Sequence, residues 1–228
     1  MEKVTNRIVA AIIVVVIAFL TIVLTGCSDI EQVVQKSSSP STILEEITAD
    51  FESTSAKLNE ELEKVNTSAG GTYEGYVENK QSLTDWYALV ISESESLFGR
   101  TKEKSADYYR AVVATVDHTD SSALQSSMKE YYRTVYDDAM TLYYRSVYDD
   151  AFKNVYRTYY EGIMKDAYKK LSYSDYSDAS TALYREYSDA QSDCYRAYSD
   201  AQSEYYQMYS DVISKFYEKD FEIESALE

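Results

Sequence analysis

From Tyr131 onward, every fourth residue is apolar or aromatic. Positions 131 to 171, taken in steps of four, hold Tyr, Val, Ala, Tyr, Val, Ala, Val, Tyr, Ile, Ala and Leu. A second stripe one residue later, from 132 to 168, holds Tyr, Tyr, Met, Tyr, Tyr, Phe, Tyr, Tyr, Met and Tyr. A repeat of twelve underlies both, visible in Tyr131–Ala139 and again in Tyr143–Ala151. An α-helix turns about 100° per residue, so a period-four stripe advances about 40° at each step. Over ten steps such a stripe wraps past a full circle. The expectation is a central helix that meets different neighbours along its length.

The remaining segments also read as helices. Leu44, Phe51, Leu58 and Val65 recur every seven residues, with Thr42 and Glu45 as a capping-box pattern. They predict a helix of about 24 residues, ending near Asn66 before Gly70-Gly71. A second helix is expected from about Tyr76 to Phe98, with Gly99 ending or bending it. A third runs through Tyr109, Val112, Val113 and Val116, with a break at Asp117–Asp120. Leu171–Asp175 marks another turn, with Ser172 and Asp175 as a weak capping pair.

The last segment repeats every eleven residues. Leu183-Tyr184-Arg185-Glu186-Tyr187-Ser188-Asp189-Ala190 returns as Cys194-Tyr195-Arg196-Ala197-Tyr198-Ser199-Asp200-Ala201. Eleven residues advance an α-helix by only about 20°, which keeps Tyr184, Tyr195, Tyr206 and Tyr217 on one face. This predicts a nearly straight helix of about 45 residues. Arg133–Asp137, Arg145–Asp149, Arg157–Glu161, Arg185–Asp189 and Arg196–Asp200 are i,i+4 pairs, each contributing a few tenths of a kcal/mol at about 25 °C. The expected fold is all-α: an elongated helical bundle with long, tyrosine-rich, coiled-coil-like helices.

The amino end is of another kind. Lys3 and Arg7 precede an apolar run from Ile8 to Leu24, closed by Leu24-Thr25-Gly26-Cys27. A basic start, an apolar stretch and small residues before a cut site read as an export signal. The last four residues resemble the lipobox of bacterial lipoproteins. That resemblance implies lipid transfer to the Cys27 thiol, cleavage before it, and anchoring by two or three acyl chains. An uncleaved membrane helix is the competing reading. Residues 1–26 are then a signal peptide, 27–41 a lipidated, serine-rich tether and 42–228 an extracytoplasmic helical domain. The repeats themselves resemble those of uncharacterised tyrosine-rich lipoproteins of Gram-positive anaerobes.

Composition sharpens this picture. The chain has 228 residues, a net charge of −17, one Pro, six Gly and 25 Tyr. So few turn formers do not supply a many-stranded sheet fold. A strong acidic excess disfavours nucleic acid, where affinity rests on neutralising phosphates. Leu, Ile, Val and Phe are scarce for so charged a chain, so tyrosine must supply buried area, with its hydroxyl wet or paired. Periodicity favours a tyrosine core, and the excess of rings leaves some as a contact surface, with Tyr184, Tyr195, Tyr206 and Tyr217 as candidates.

Little conventional chemistry remains. Asp137-Asp138 and Asp149-Asp150 lack the glycine-bearing loop of a calcium hand and read as a solvated face. Cys194 occupies a repeat slot shared with Leu183, Tyr205 and Phe216, as a buried thiol does. His118 falls in a turn. No cofactor, metal or catalytic residue is expected. The sequence leaves three roles. The first is a non-enzymatic envelope protein that binds another envelope protein or itself. The second is a carbohydrate- or wall-binding module using exposed tyrosines. The third and weakest is an extracytoplasmic enzyme.

Overall fold

A computed structural model describes residues 38–115 and 121–227. The expectations on residues 1–37, including the apolar run and Cys27, lie outside the described residues, as do the break at 117–120 and His118. Four helices make an up-down-up-down bundle, and no strand occurs among the described residues. They are α1 (Pro40–Ala69), α2 (Tyr73–Thr115), α3 (residues 121–170) and α4 (Tyr173–Leu227). Helices α2 and α3 face each other across the core. Helix α1 packs on both from one side and α4 on both from the other.

Helix α1 starts earlier than its capping-box pattern predicts. Ser39 is the N-cap, its Oγ accepting from the Thr42 backbone N–H at 3.2 Å, and Pro40 opens the first turn. Proline suits that position because its missing N–H would have no partner in the helix. The helix closes at Gly70, whose φ of 59° lies in the left-handed region and whose N–H reaches the Thr67 carbonyl. The next helix folds back so closely that a Cβ on Gly75 would lie 2.2 Å from the Ala69 carbonyl oxygen.

The expected second and third helices are one. Helix α2 runs 43 residues straight through Gly99, with its only non-helical backbone at Asn79. A glycine inside a helix costs about 1 kcal/mol. Leu97, Phe98 and Thr101 are buried around it, and their packing outweighs that cost. Helix α4 is also longer than expected, at 55 residues. Ser172 caps it: the Asp175 N–H donates to Ser172 Oγ at 3.3 Å, and the hydroxyl donates to the Asp175 carboxylate at 2.7 Å.

The main correction concerns α3. The period-four stripe does not wrap around the helix. All ten of its positions from Tyr131 to Ala167 are buried. The backbone changes instead. Three segments are π-helix: Tyr132–Met140, Tyr144–Ala151 and Tyr156–Ile163, joined by short α-helical stretches. They begin at residues 132, 144 and 156, so the twelve-residue repeat sets them and a third copy completes the pattern. A π-turn holds about 4.4 residues, so alternating it with α-turns raises the mean to about four. Twelve residues then close three turns, and the stripe stays on one face. π-Helix is ordinarily confined to single turns. Here the burial of ten side chains stabilises it, at about 25 cal/mol per Å² of apolar surface.

The core is aromatic and hydroxyl-rich. Ser94 Oγ bonds the hydroxyls of Tyr143 and Tyr148 at 2.8 and 2.9 Å while donating to the Val90 carbonyl. Eleven residues on, Ser105 Oγ accepts from the Tyr131 hydroxyl, which also bonds that of Tyr205 at 2.9 Å. Trp86 Nε1 donates to the Leu58 carbonyl, and Ser146 ties α3 to Ser55 and Asn59 of α1. Small hydroxyls on α2 thus stand opposite large phenols on α3. These bonds satisfy the hydroxyls of Tyr131, Tyr143, Tyr148 and Tyr205, whereas the buried Tyr159 hydroxyl makes no hydrogen bond.

Ion pairs lie at the seams. Lys57–Glu93 and Lys104–Asp50 link α1 to α2, Lys80–Glu186 links α2 to α4, and Lys170 links the end of α3 to Glu74. None of the five i,i+4 arginine pairs expected from sequence closes among the described residues. Arg196 pairs with Asp193 instead, at 3.5 Å.

Candidate interaction surface

The seam between α3 and α4 is built from tyrosine on both sides. Each twelve-residue unit of α3 offers two rings four residues apart: Tyr132 and Tyr136, Tyr144 and Tyr148, Tyr156 and Tyr160. These stack within the helix at 5.2, 5.9 and 5.1 Å. Each eleven-residue unit of α4 offers two rings three apart: Tyr184 and Tyr187, Tyr195 and Tyr198, Tyr206 and Tyr209.

The two sets meet in two ladders. In one, Tyr184, Tyr195 and Tyr206 face Tyr160, Tyr148 and Tyr136, with ring centroids 5.4, 5.7 and 5.1 Å apart. In the other, Tyr187, Tyr198 and Tyr209 face Tyr156, Tyr144 and Tyr132 at 5.6, 5.1 and 5.5 Å. The pairing is reciprocal. The earlier tyrosine of each unit on one helix faces the later tyrosine of a unit on the other.

An eleven-residue count on one helix thereby matches a twelve-residue count on its antiparallel neighbour. Eleven α-helical residues rise about 16 Å. Eight π-helical and four α-helical residues rise about 15–16 Å, because a wider turn climbs less per residue. The rungs stay aligned over three repeats. Each aromatic pair contributes about 0.5–1.5 kcal/mol beyond its buried area.

Burial divides these phenols. Desolvation pushes the hydroxyls of Tyr131, Tyr143 and Tyr198 up to about 12 and holds those of Tyr148 and Tyr205 well above the ordinary phenol value. Cys194, fully buried, has its thiol raised to about 12 by the same cause, and its Sγ lies 3.8 Å from the Tyr87 carbonyl oxygen.

Of the four candidate contact tyrosines, three present surface to solvent: Tyr184 at 51 %, Tyr206 at 45 % and Tyr217 at 57 %. Tyr195 is half-buried against Tyr144 and Tyr148. Sequence reading missed Tyr168 and Tyr173, both strongly exposed beside the α3–α4 turn. Tyr173 lies eleven residues before Tyr184, so the repeat already marked it.

The described surface also carries a shallow cleft of about 280 Å³ between α2 and α4, over Phe98, Gly99, Ala197 and Ala201. Among the described residues no group of three His, Cys, Asp or Glu is placed to hold a metal ion, and no helix is long and apolar enough to cross a membrane. No known protein family, curated protein or solved structure matches this chain.

Proposed function

We propose that this is a lipid-anchored cell-envelope protein with a non-enzymatic, structural or protein-contact role. The anchor is Cys27 and the spacer is the serine-rich stretch that leads into Ser39, the N-cap of α1. The bundle stands on the outer face of the membrane and meets an envelope protein or a second copy of itself. One observation carries the contact role: α4 holds tyrosine rings open to solvent at Tyr184, Tyr206 and Tyr217, at whole-repeat spacing along one face. Tyrosine is enriched in protein interfaces because it brings large area at a low entropic cost.

The test is sedimentation velocity with chemical cross-linking on the full chain in detergent micelles, beside a Tyr184→Ser, Tyr206→Ser, Tyr217→Ser variant. Self-association or capture of an envelope protein should weaken at least tenfold in the variant. A monomer that captures nothing in either form defeats the proposal. The same rings, about 33 Å and about 16 Å apart along the helix, also fit sugar stacking in a wall polymer. Retention on purified cell wall above a charge-matched control would select that reading instead. The anchor has its own test. Cys27→Ala should abolish lipid labelling and leave the unprocessed chain to accumulate, and persistent labelling would refute the lipid site.

A further inference from the structure

Three tyrosine pairs on the α3–α4 seam combine two properties. Their rings touch across the helices, and one ring of each is open to water. Tyr168, 65 % exposed, faces half-buried Tyr176 with centroids 5.1 Å apart. Tyr184 faces half-buried Tyr160 at 5.4 Å, and Tyr206 faces half-buried Tyr136 at 5.1 Å. Every pair joins α3 to α4, and together they span the seam from its turn to its far rung.

Other pairs have the proximity without the water. Tyr148 and Tyr198 approach to 4.8 Å, but both are buried. Tyr131 and Tyr205 share a hydrogen bond and are also buried.

We propose that the α3–α4 seam is a site of oxidative cross-linking, where a one-electron oxidant of the peroxidase class joins facing tyrosines as dityrosine. Each phenol gives one electron to the oxidant and its hydroxyl proton to water. The two phenoxyl radicals form one carbon–carbon bond between ring positions ortho to the hydroxyls. The hydrogens on those carbons then move to the oxygens, restoring two phenols. The pair loses two electrons and two protons, which one hydrogen peroxide consumes on reduction to two waters. Proton release to water selects exposed pairs over buried ones. Contact across the seam selects intramolecular links over links between chains. The product is a bundle whose last two helices are covalently joined.

The experiment treats dilute full chain in detergent micelles with a heme peroxidase and hydrogen peroxide. It reads dityrosine fluorescence, the mass of the monomer and the linked peptides after proteolysis. The expected product is a monomer two hydrogens lighter per link, with peptides joined through Tyr168–Tyr176, Tyr160–Tyr184 or Tyr136–Tyr206. A variant carrying Y168F, Y184F and Y206F keeps the rings and should lose at least four-fifths of the intramolecular dityrosine. Linked peptides mapped on the unaltered chain identify the joined rings directly, whether or not the variant folds. Dityrosine found only between chains, links through Tyr148–Tyr198, or full yield in the variant would overturn the proposal.

Discussion

Ser94 shows what a single hydroxyl does in this interior. It is fully buried and is bonded to two phenols that are buried with it. A buried polar group that loses its partner costs about 1–3 kcal/mol. Ser94→Ala should therefore lower the unfolding free energy in urea by about 2–3 kcal/mol. Adding Tyr143→Phe should restore part of that loss, because it removes one stranded hydroxyl; strictly additive losses would contradict the shared bond. The same burial predicts a pH limit. Tyr131, Tyr143, Tyr198 and Cys194 ionise near 12 in the folded protein, whereas an unfolded phenol ionises near 10 and a thiol near 8.5. The fold holds their protons more tightly. The thiol's contribution begins to fall above about 8.5, the phenols' above about 10, and both are lost through 12. Helical circular dichroism at moderate urea should fall steeply between about pH 10 and 12. Unchanged helicity past pH 12 would refute the raised phenols.

At the scale of elements, the repeats of eleven and twelve were legible in the sequence, and so was the conflict between a period of four and an α-helix. The resolution was not. Reading the stripe against a fixed turn of 3.6 residues makes it wrap, whereas α3 keeps the stripe buried and changes the turn. Side-chain burial at Tyr131, Val135 and their successors decided the backbone, a tertiary effect that no local propensity records. Gly99 misled for the same reason, since the packing that carries α2 through it comes from other helices. Of the candidate contact residues, Tyr184, Tyr206 and Tyr217 were legible from spacing alone. The burial of Tyr195 depends on Tyr144 and Tyr148, which only the paired helices bring near. The π-segments make a sharp prediction about deletions. Removing Asp150 shortens one unit of α3 to eleven residues, which α-helix accommodates with the stripe still facing inward. Removing Ser199 from α4 rotates everything after it by about 100°. The first deletion should leave a cooperative unfolding transition within about 2 kcal/mol of the parent, and the second should abolish it. Equal damage from both would show that the wide turns are not what absorbs the twelfth residue.

For the whole molecule, charge sets a background against which these contacts act. The net charge is −17, and α1 and α4, rich in Asp and Glu, lie on opposite sides of the α2–α3 pair. Self-repulsion at this charge opposes compaction, and added salt screens it within a Debye length of about 10 Å at 0.1 M. The seam ion pairs are exposed or half-buried and contribute about 0–1 kcal/mol each. Raising sodium chloride from 10 mM to 0.5 M should therefore stabilise the bundle by about 1 kcal/mol, measured by urea unfolding. A loss of stability would mean that the ion pairs outweigh the repulsion.

The matched counts of eleven and twelve also bear on how such a protein changes size. Physical length and residue number are uncoupled between α3 and α4, yet the rungs coincide. Helix α2 keeps the eleven-residue count as well, in Tyr76, Tyr87, Phe98 and Tyr109. A chain lengthened by eleven residues in α2, twelve in α3 and eleven in α4 keeps every facing pair among those three helices and gains about 16 Å of reach. Any other increment breaks a ladder. The bundle is thus quantised, and a protein built this way grows in whole storeys.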